Sequence, residues 1–97
     1  MTIKYFLSTY AEQDIDEVIT YLANENPRAA NDFVDALYDA FDKLADNPML
    51  GHVREDLTHH PVKFWTFKWH YLVIYNPVKP IEILRVVSGY RDITNMV

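Results

Sequence analysis

Ninety-seven residues with 49% hydrophobic and 14% aromatic content suit one compact domain over residues 1–97, since a chain of this size buries roughly 65% of the surface its unfolded form exposes. The chain has no cysteine, which excludes a disulfide scaffold, a thiolate metal site and a cysteine nucleophile. A formal charge of −5 opposes phosphate binding, which needs a basic face, and no apolar run nears the ~18 residues of a membrane span.

Ile3, Tyr5 and Leu7 alternate with Thr2, Lys4 and Phe6, the period of a short strand. Thr9 and Glu12 then have the spacing of a capping box. Ala11, Ile15, Val18, Ile19 and Leu22 form an apolar stripe to about residue 24, with Asp14, Asp16, Glu17 and Thr20 assigned to the solvated side. Asn26-Pro27 starts a second helix, because asparagine caps and proline at the first position gives up an N–H that has no partner there. Its stripe is Ala30, Phe33, Val34, Leu37, Phe41 and Leu44; Asp32, Asp35, Asp39, Asp42 and Asp46 oppose it, and Asn47-Pro48 stops it. The short link between the two makes them an antiparallel helical hairpin.

Met49 to His60 lacks periodicity and reads as a loop. Val62–Phe67, Tyr71–Tyr75 and Ile81–Val87 are β-branched and aromatic runs, which predict a three-stranded antiparallel meander. Leu72–Tyr75 and Ile83–Val87 are nearly continuous in apolar character, as in central strands covered on at least one face by the hairpin. Gly89 to Val97 forms a short terminal segment. The expected class is α+β: one strand, a helical hairpin, then the meander, all in one sheet.

Charge is uneven. Residues 1–48 carry ten carboxylates against three basic side chains, a balance of −7, whereas residues 49–97 carry six basic side chains against four carboxylates, or +2. His52, His59, His60 and His70 also fall in the second half, but without the spacing of a known metal site, so neither metal nor cofactor is expected. Ser8 and Ser88 are the two serines, and neither lies in the Gly-x-Ser-x-Gly turn of a serine hydrolase. Glu12 and Asp14 interrupt any signal-peptide core, which points to a soluble cytoplasmic protein.

Metal-independent RNA cleavage needs a base, cations facing the phosphorane and an acid. Lys63, Lys68, Arg85 and Arg91 are candidate cations, His70 a candidate acid or base, and Tyr90 a candidate for stacking or proton transfer. The pI of about 5.1 opposes that reading. Arg85 interrupts an apolar strand and needs either a partner, with Glu82 or Asp92 expected, or a role as a positive centre on the sheet's open face. Arg91 with Asp92, and Arg54 beside Glu55 and Asp56, read as local pairs or binding charges. Lys63-Phe64-Trp65-Thr66-Phe67-Lys68-Trp69-His70 interleaves bases and aromatics; two tryptophans on an expected edge strand favour a protein contact.

Four stretches carry a resemblance: Ala11 to Leu22; Pro27-Arg28-Ala29-Ala30 with Phe33; Asn47-Pro48-Met49-Leu50-Gly51 with Arg54 to Leu57; and His70 to Tyr75 followed by Ile83 to Asp92. In this order the chain resembles toxins of the ParE/RelE superfamily, and the closing Arg85-Val86-Val87-Ser88-Gly89-Tyr90-Arg91-Asp92 is more similar to ParE. Family members usually have arginine at the position of Asn76, and often His or Ala at those of Ser88 and Tyr90. The resemblance implies a type II toxin that binds DNA gyrase without catalysis and is neutralised by a cognate antitoxin, whose disordered segment folds on the hairpin and sheet. Arg54, Lys63, Trp65, Lys68, Trp69, Arg85, Tyr90 and Arg91 are then the candidate contacts to target or antitoxin. The alternative is a RelE-type endonuclease acting on mRNA in the ribosome through Arg85, Lys63, His70 and Tyr90. Monomer and homodimer both remain open. The far side of the sheet is expected to be free to grip another macromolecule.

Overall fold

In the computed structural model, residues 3–89 are described. A short strand β1 (Tyr5–Leu7) leads into α1 (Thr9–Glu25). The cap is Ser8, not Thr9: its Oγ accepts the Ala11 N–H at 3.0 Å and donates to the Leu84 carbonyl at 2.7 Å. One hydroxyl thus serves a helix end and a strand edge together, a tertiary gain that the Thr9/Glu12 spacing does not contain. Asn26 closes α1 through its backbone N–H, and its side chain accepts the Arg28 N–H at 3.0 Å to open α2 (Pro27–Asp46). With a single residue between them, the helices fold into the expected hairpin. α2 buries Ala30, Phe33, Leu37, Ala40, Phe41 and Leu44, and its aspartates face away.

Strands β2 (Lys63–Lys68), β3 (Tyr71–Asn76) and β4 (Ile81–Ser88) form the antiparallel meander, and β1 joins it parallel to β4, giving the order β1-β4-β3-β2. One sheet face carries Tyr71, Val73, Tyr75, Ile81, Ile83 and Val86 against Phe33, Leu37, Phe41 and Leu44 of the hairpin. The other face is not bare. Val62, Phe64, Leu72, Ile74 and Val87 form a second cluster there, with Leu57 and Leu84 packed on it. The loop before β2 supplies Leu57 and Val62, so the expected open far side is partly covered by this chain. The reason is visible in β3, whose Leu72–Tyr75 run is apolar on both faces and therefore needs cover on both.

Two bulges set the register. In β4, Ile83 pairs with Tyr75 but Arg85 pairs with Ile74, leaving Leu84 as the extra residue. Counting by twos from Ile81 and Ile83 would aim Arg85 into the hairpin core. The inserted residue instead places it on the face of Ile74 and Phe64. In β2 the slip falls at Phe67, whose ring packs 5.6 Å from that of Phe33.

The segment expected as a loop from Met49 is ordered by Tyr75. Pro48–Leu50 forms a 3-10 turn; the buried Tyr75 hydroxyl donates to the Pro48 carbonyl at 2.6 Å and accepts the Gly51 N–H at 2.9 Å. A Cβ on Gly51 would lie 2.6 Å from that hydroxyl and 2.8 Å from the ring, so the close approach requires glycine. His52 then bridges Phe64 along the outer edge of β2.

Replacing Tyr75 with Phe strands a buried N–H and a buried carbonyl, and should cost about 1–3 kcal/mol in urea unfolding followed by circular dichroism; Gly51→Ala should also destabilise, by steric conflict. Burial pushes the Tyr75 phenol above its ordinary pKa of 10.0, against the opposing Gly51 hydrogen bond, and burial also raises Tyr71, aided by nearby Tyr21. The unfolded chain therefore ionises first. The stability these phenols contribute is complete below about pH 10 and is lost as pH rises through their folded-state values. Unfolding midpoints between pH 8 and 12 should show that alkaline decline, and Tyr75→Phe should weaken it.

Candidate functional site

β1 ends after three residues, so beyond Ile83 the flank of β4 has no strand beside it on that side. The start of α1 takes its place. The Ser8 N–H donates to the Ile83 carbonyl at 3.0 Å, the Ser8 hydroxyl bonds the Leu84 carbonyl, and Asp14 Oδ2 accepts the Val86 N–H at 3.0 Å. The same carboxylate receives Arg85 as a fork, Nε at 2.7 Å and Nη2 at 2.9 Å, the two-point geometry that makes guanidinium–carboxylate pairs strong. Asp14 is 6% exposed and the Arg85 side chain 19%. Its hydrogen bonds to Asp14 hold the Arg85 pKa above the ordinary value, against the lowering effect of burial. The Tyr10 ring lies 5.4 Å from the guanidinium carbon.

Two expectations are corrected here. Asp14, assigned to the solvated side of α1, is buried; Arg85 pairs with it and not with Glu82, which is exposed on β4. The sequence held a signal for this: Asp14 is three residues after Ala11 and four before Val18, inside the spacing of the apolar stripe. The other expected partner, Asp92, lies outside the described residues, as do Tyr90 and Arg91.

The remaining candidates are spread apart. Lys63 pairs with Tyr75 on the hairpin face, and its Nζ donates to the Gly51 carbonyl at 3.3 Å; Arg85 occupies the opposite face. His70 sits in the β2–β3 turn with its ring 4.7 Å from that of Tyr71. Lys63, His70 and Arg85 therefore do not converge on a point where a phosphate could react. Arg54 pairs with Asp56 through two contacts of 3.0 and 2.8 Å on the exposed loop, which lowers the Asp56 pKa. The two tryptophans divide: Trp65 packs at the core margin and stacks on His52 at 6.2 Å, whereas Trp69 stands in the turn with Lys68 Nζ 5.0 Å from its ring.

Beside Arg85 lies a cleft of about 360 Å³ lined by Ser8, Tyr10, Pro61, Val62 and Leu84 among others. Its walls are mostly apolar, and its cation is already held by Asp14. Such a cleft can receive a side chain or backbone segment of another protein. Among the described residues, no three His, Asp or Glu side chains come together to hold a metal.

A helical hairpin on a four-stranded mixed sheet defines a small α+β protein, over which the candidate side chains among the described residues are dispersed. The chain belongs to the ParE toxins of type II toxin-antitoxin systems, parDE, matching that family over residues 5–93. A solved structure described as the chromosomal ParDE TA system from P. aeruginosa shares the fold, with a TM-score of 0.70 and 19% identity over 87% of this chain and 92% of that one. No curated protein matches the chain.

Because Asp14 holds both Arg85 and the Val86 N–H, Asp14→Ala should cost about 3 kcal/mol by leaving a partly buried guanidinium uncompensated. Asp14→Asn, which keeps an acceptor for Val86, should cost less. Chemical denaturation of the two variants checks the order, and equal midpoints for Asp14→Ala and the native chain would refute the role given to this carboxylate.

Proposed function

We propose that this ParE-family toxin arrests growth by binding DNA gyrase in the cytoplasm, without cleaving a bond itself, and that a cognate antitoxin silences it. The observation that carries the non-catalytic reading is the placement of Lys63 and Arg85 on opposite sheet faces, with Arg85 neutralised by Asp14. A ribonuclease needs those charges aimed together at the phosphorane. The −7 balance of residues 1–48 also opposes docking on ribosomal RNA, whose binding rests on neutralising phosphates. The same acidic helices favour an antitoxin segment that presents lysine or arginine as it folds on the hairpin.

Induced expression in cells tests the target. DNA breaks and an SOS response with intact transcripts are expected, together with inhibition of supercoiling by purified gyrase. Cut transcripts with an intact chromosome would replace this reading by ribosome-dependent mRNA cleavage.

A further inference from the structure

The interleaved stretch Lys63–His70 has a use that its packing does not exhaust. Trp69 is the sole non-glycine residue with positive φ among those described, at φ 51. Glycine or asparagine would serve a turn that only connects two strands, because a bulky side chain is disfavoured in the left-handed region. Trp69 is also 52% exposed as a residue, in contrast to the half-buried Trp65. Two unfavourable features thus meet at one side chain, and the ring contacts it makes, with Tyr71 and Lys68, leave it about half exposed.

The ring is held ready for contact. Tyr71 backs it at 6.4 Å, edge to face, and Lys68 Nζ sits 5.0 Å from its centroid. The turn itself is tied to the end of β4 by the Gly89 N–H, which donates to the His70 carbonyl at 2.7 Å. A Cβ on Gly89 would come within 2.9 Å of that oxygen, so the two segments are closely apposed. An exposed tryptophan on a braced turn loses little freedom on binding, the property of an interface anchor.

We infer that the β2–β3 turn is the anchor by which the toxin grips its target protein: Trp69 enters an apolar pocket on that protein, and Lys68 meets a carboxylate at the pocket's rim. A nucleic-acid base is the less suitable occupant. The cleft between α1 and the sheet next to Tyr71 is lined by Glu17 and Tyr21 beside the Arg85-paired Asp14, so phosphates arriving beside the turn would face the Glu17 carboxylate instead of a basic groove. The inference takes the target from the gyrase-binding reading, but the anchor can be tested without it.

Trp69→Gly removes the ring and relieves the backbone, so its melting temperature should be unchanged or raised while toxicity falls. On induction, the native chain should arrest growth and Trp69→Gly should restore colony counts at least tenfold; purified, the variant should need at least tenfold more protein to inhibit gyrase. Trp69→Asn, also tolerant of positive φ, should behave alike and guards against a folding defect in one variant. In a Trp65→Phe chain, where Trp69 is the sole tryptophan, emission should shift to the blue on adding gyrase. A folded Trp69→Gly as toxic as the native chain would overturn the anchor. So would an emission change with single-stranded DNA but not with gyrase. Growth arrest that Trp69→Gly relieves, with gyrase unaffected by the native chain, would sink the gyrase reading and leave the anchor standing; a native chain that arrests nothing would sink both.

Discussion

The carboxylate of Asp14 ties α1 to two neighbouring residues of β4 that lie 71 and 72 positions away in sequence. It accepts both arms of the Arg85 guanidinium and the Val86 backbone N–H, and so seats α1 on the flank of β4 where β1 has run out. A largely buried ion pair is weak evidence for net stability, because desolvation offsets much of the attraction. Its stronger effect is on arrangement: once the pair exists, α1 has one place to sit, and removing either partner leaves the other exposed to a low-dielectric surrounding. The Leu84 bulge is the second half of the device. Without that inserted residue, Arg85 would point into the core of Phe33, Leu37 and Phe41, where no carboxylate waits.

This constraint shapes what the molecule can do. Arg85, the basic residue of β4, is committed internally, and Lys63 is spent on the Gly51 carbonyl on the other side of the sheet. Neither is placed as part of a charged pocket for a reacting phosphate. What remains at the surface is suited to recognition: an apolar cleft beside Tyr10, acidic outer faces on both helices, and aromatic side chains standing singly around the edges.

Both sheet faces are clothed, one by the hairpin and one in part by Leu57 and Val62. The rim of the sheet is therefore open to contact as well as the acidic outer faces of the helices. Phe6, Tyr10, Tyr21 and Trp69, all exposed, lie on β1, on α1 and in the β2–β3 turn, and not on one continuous bare face. Separate aromatics on the rim leave more than one part of this small protein open to contact.

The sequence by itself determined the two helices, their hairpin and the three later strands, because these follow from features that act over a few residues. Asn26-Pro27 ends and begins a helix by local backbone chemistry, and the Leu72–Tyr75 run is apolar whatever it packs against. The family was legible for the same reason, since its marks are short stretches in a fixed order. Tertiary structure decided the rest. The helix cap moved from Thr9 to Ser8 because Ser8 also meets Leu84, 76 residues away, and Asp14 turned inward to reach Arg85, 71 residues away. The face on which Arg85 stands depended on one bulged residue, which a period-two reading passes over without a sign. Periodicity reports how one element divides its own sides; it carries no information about which distant charge or strand edge will occupy the side left over.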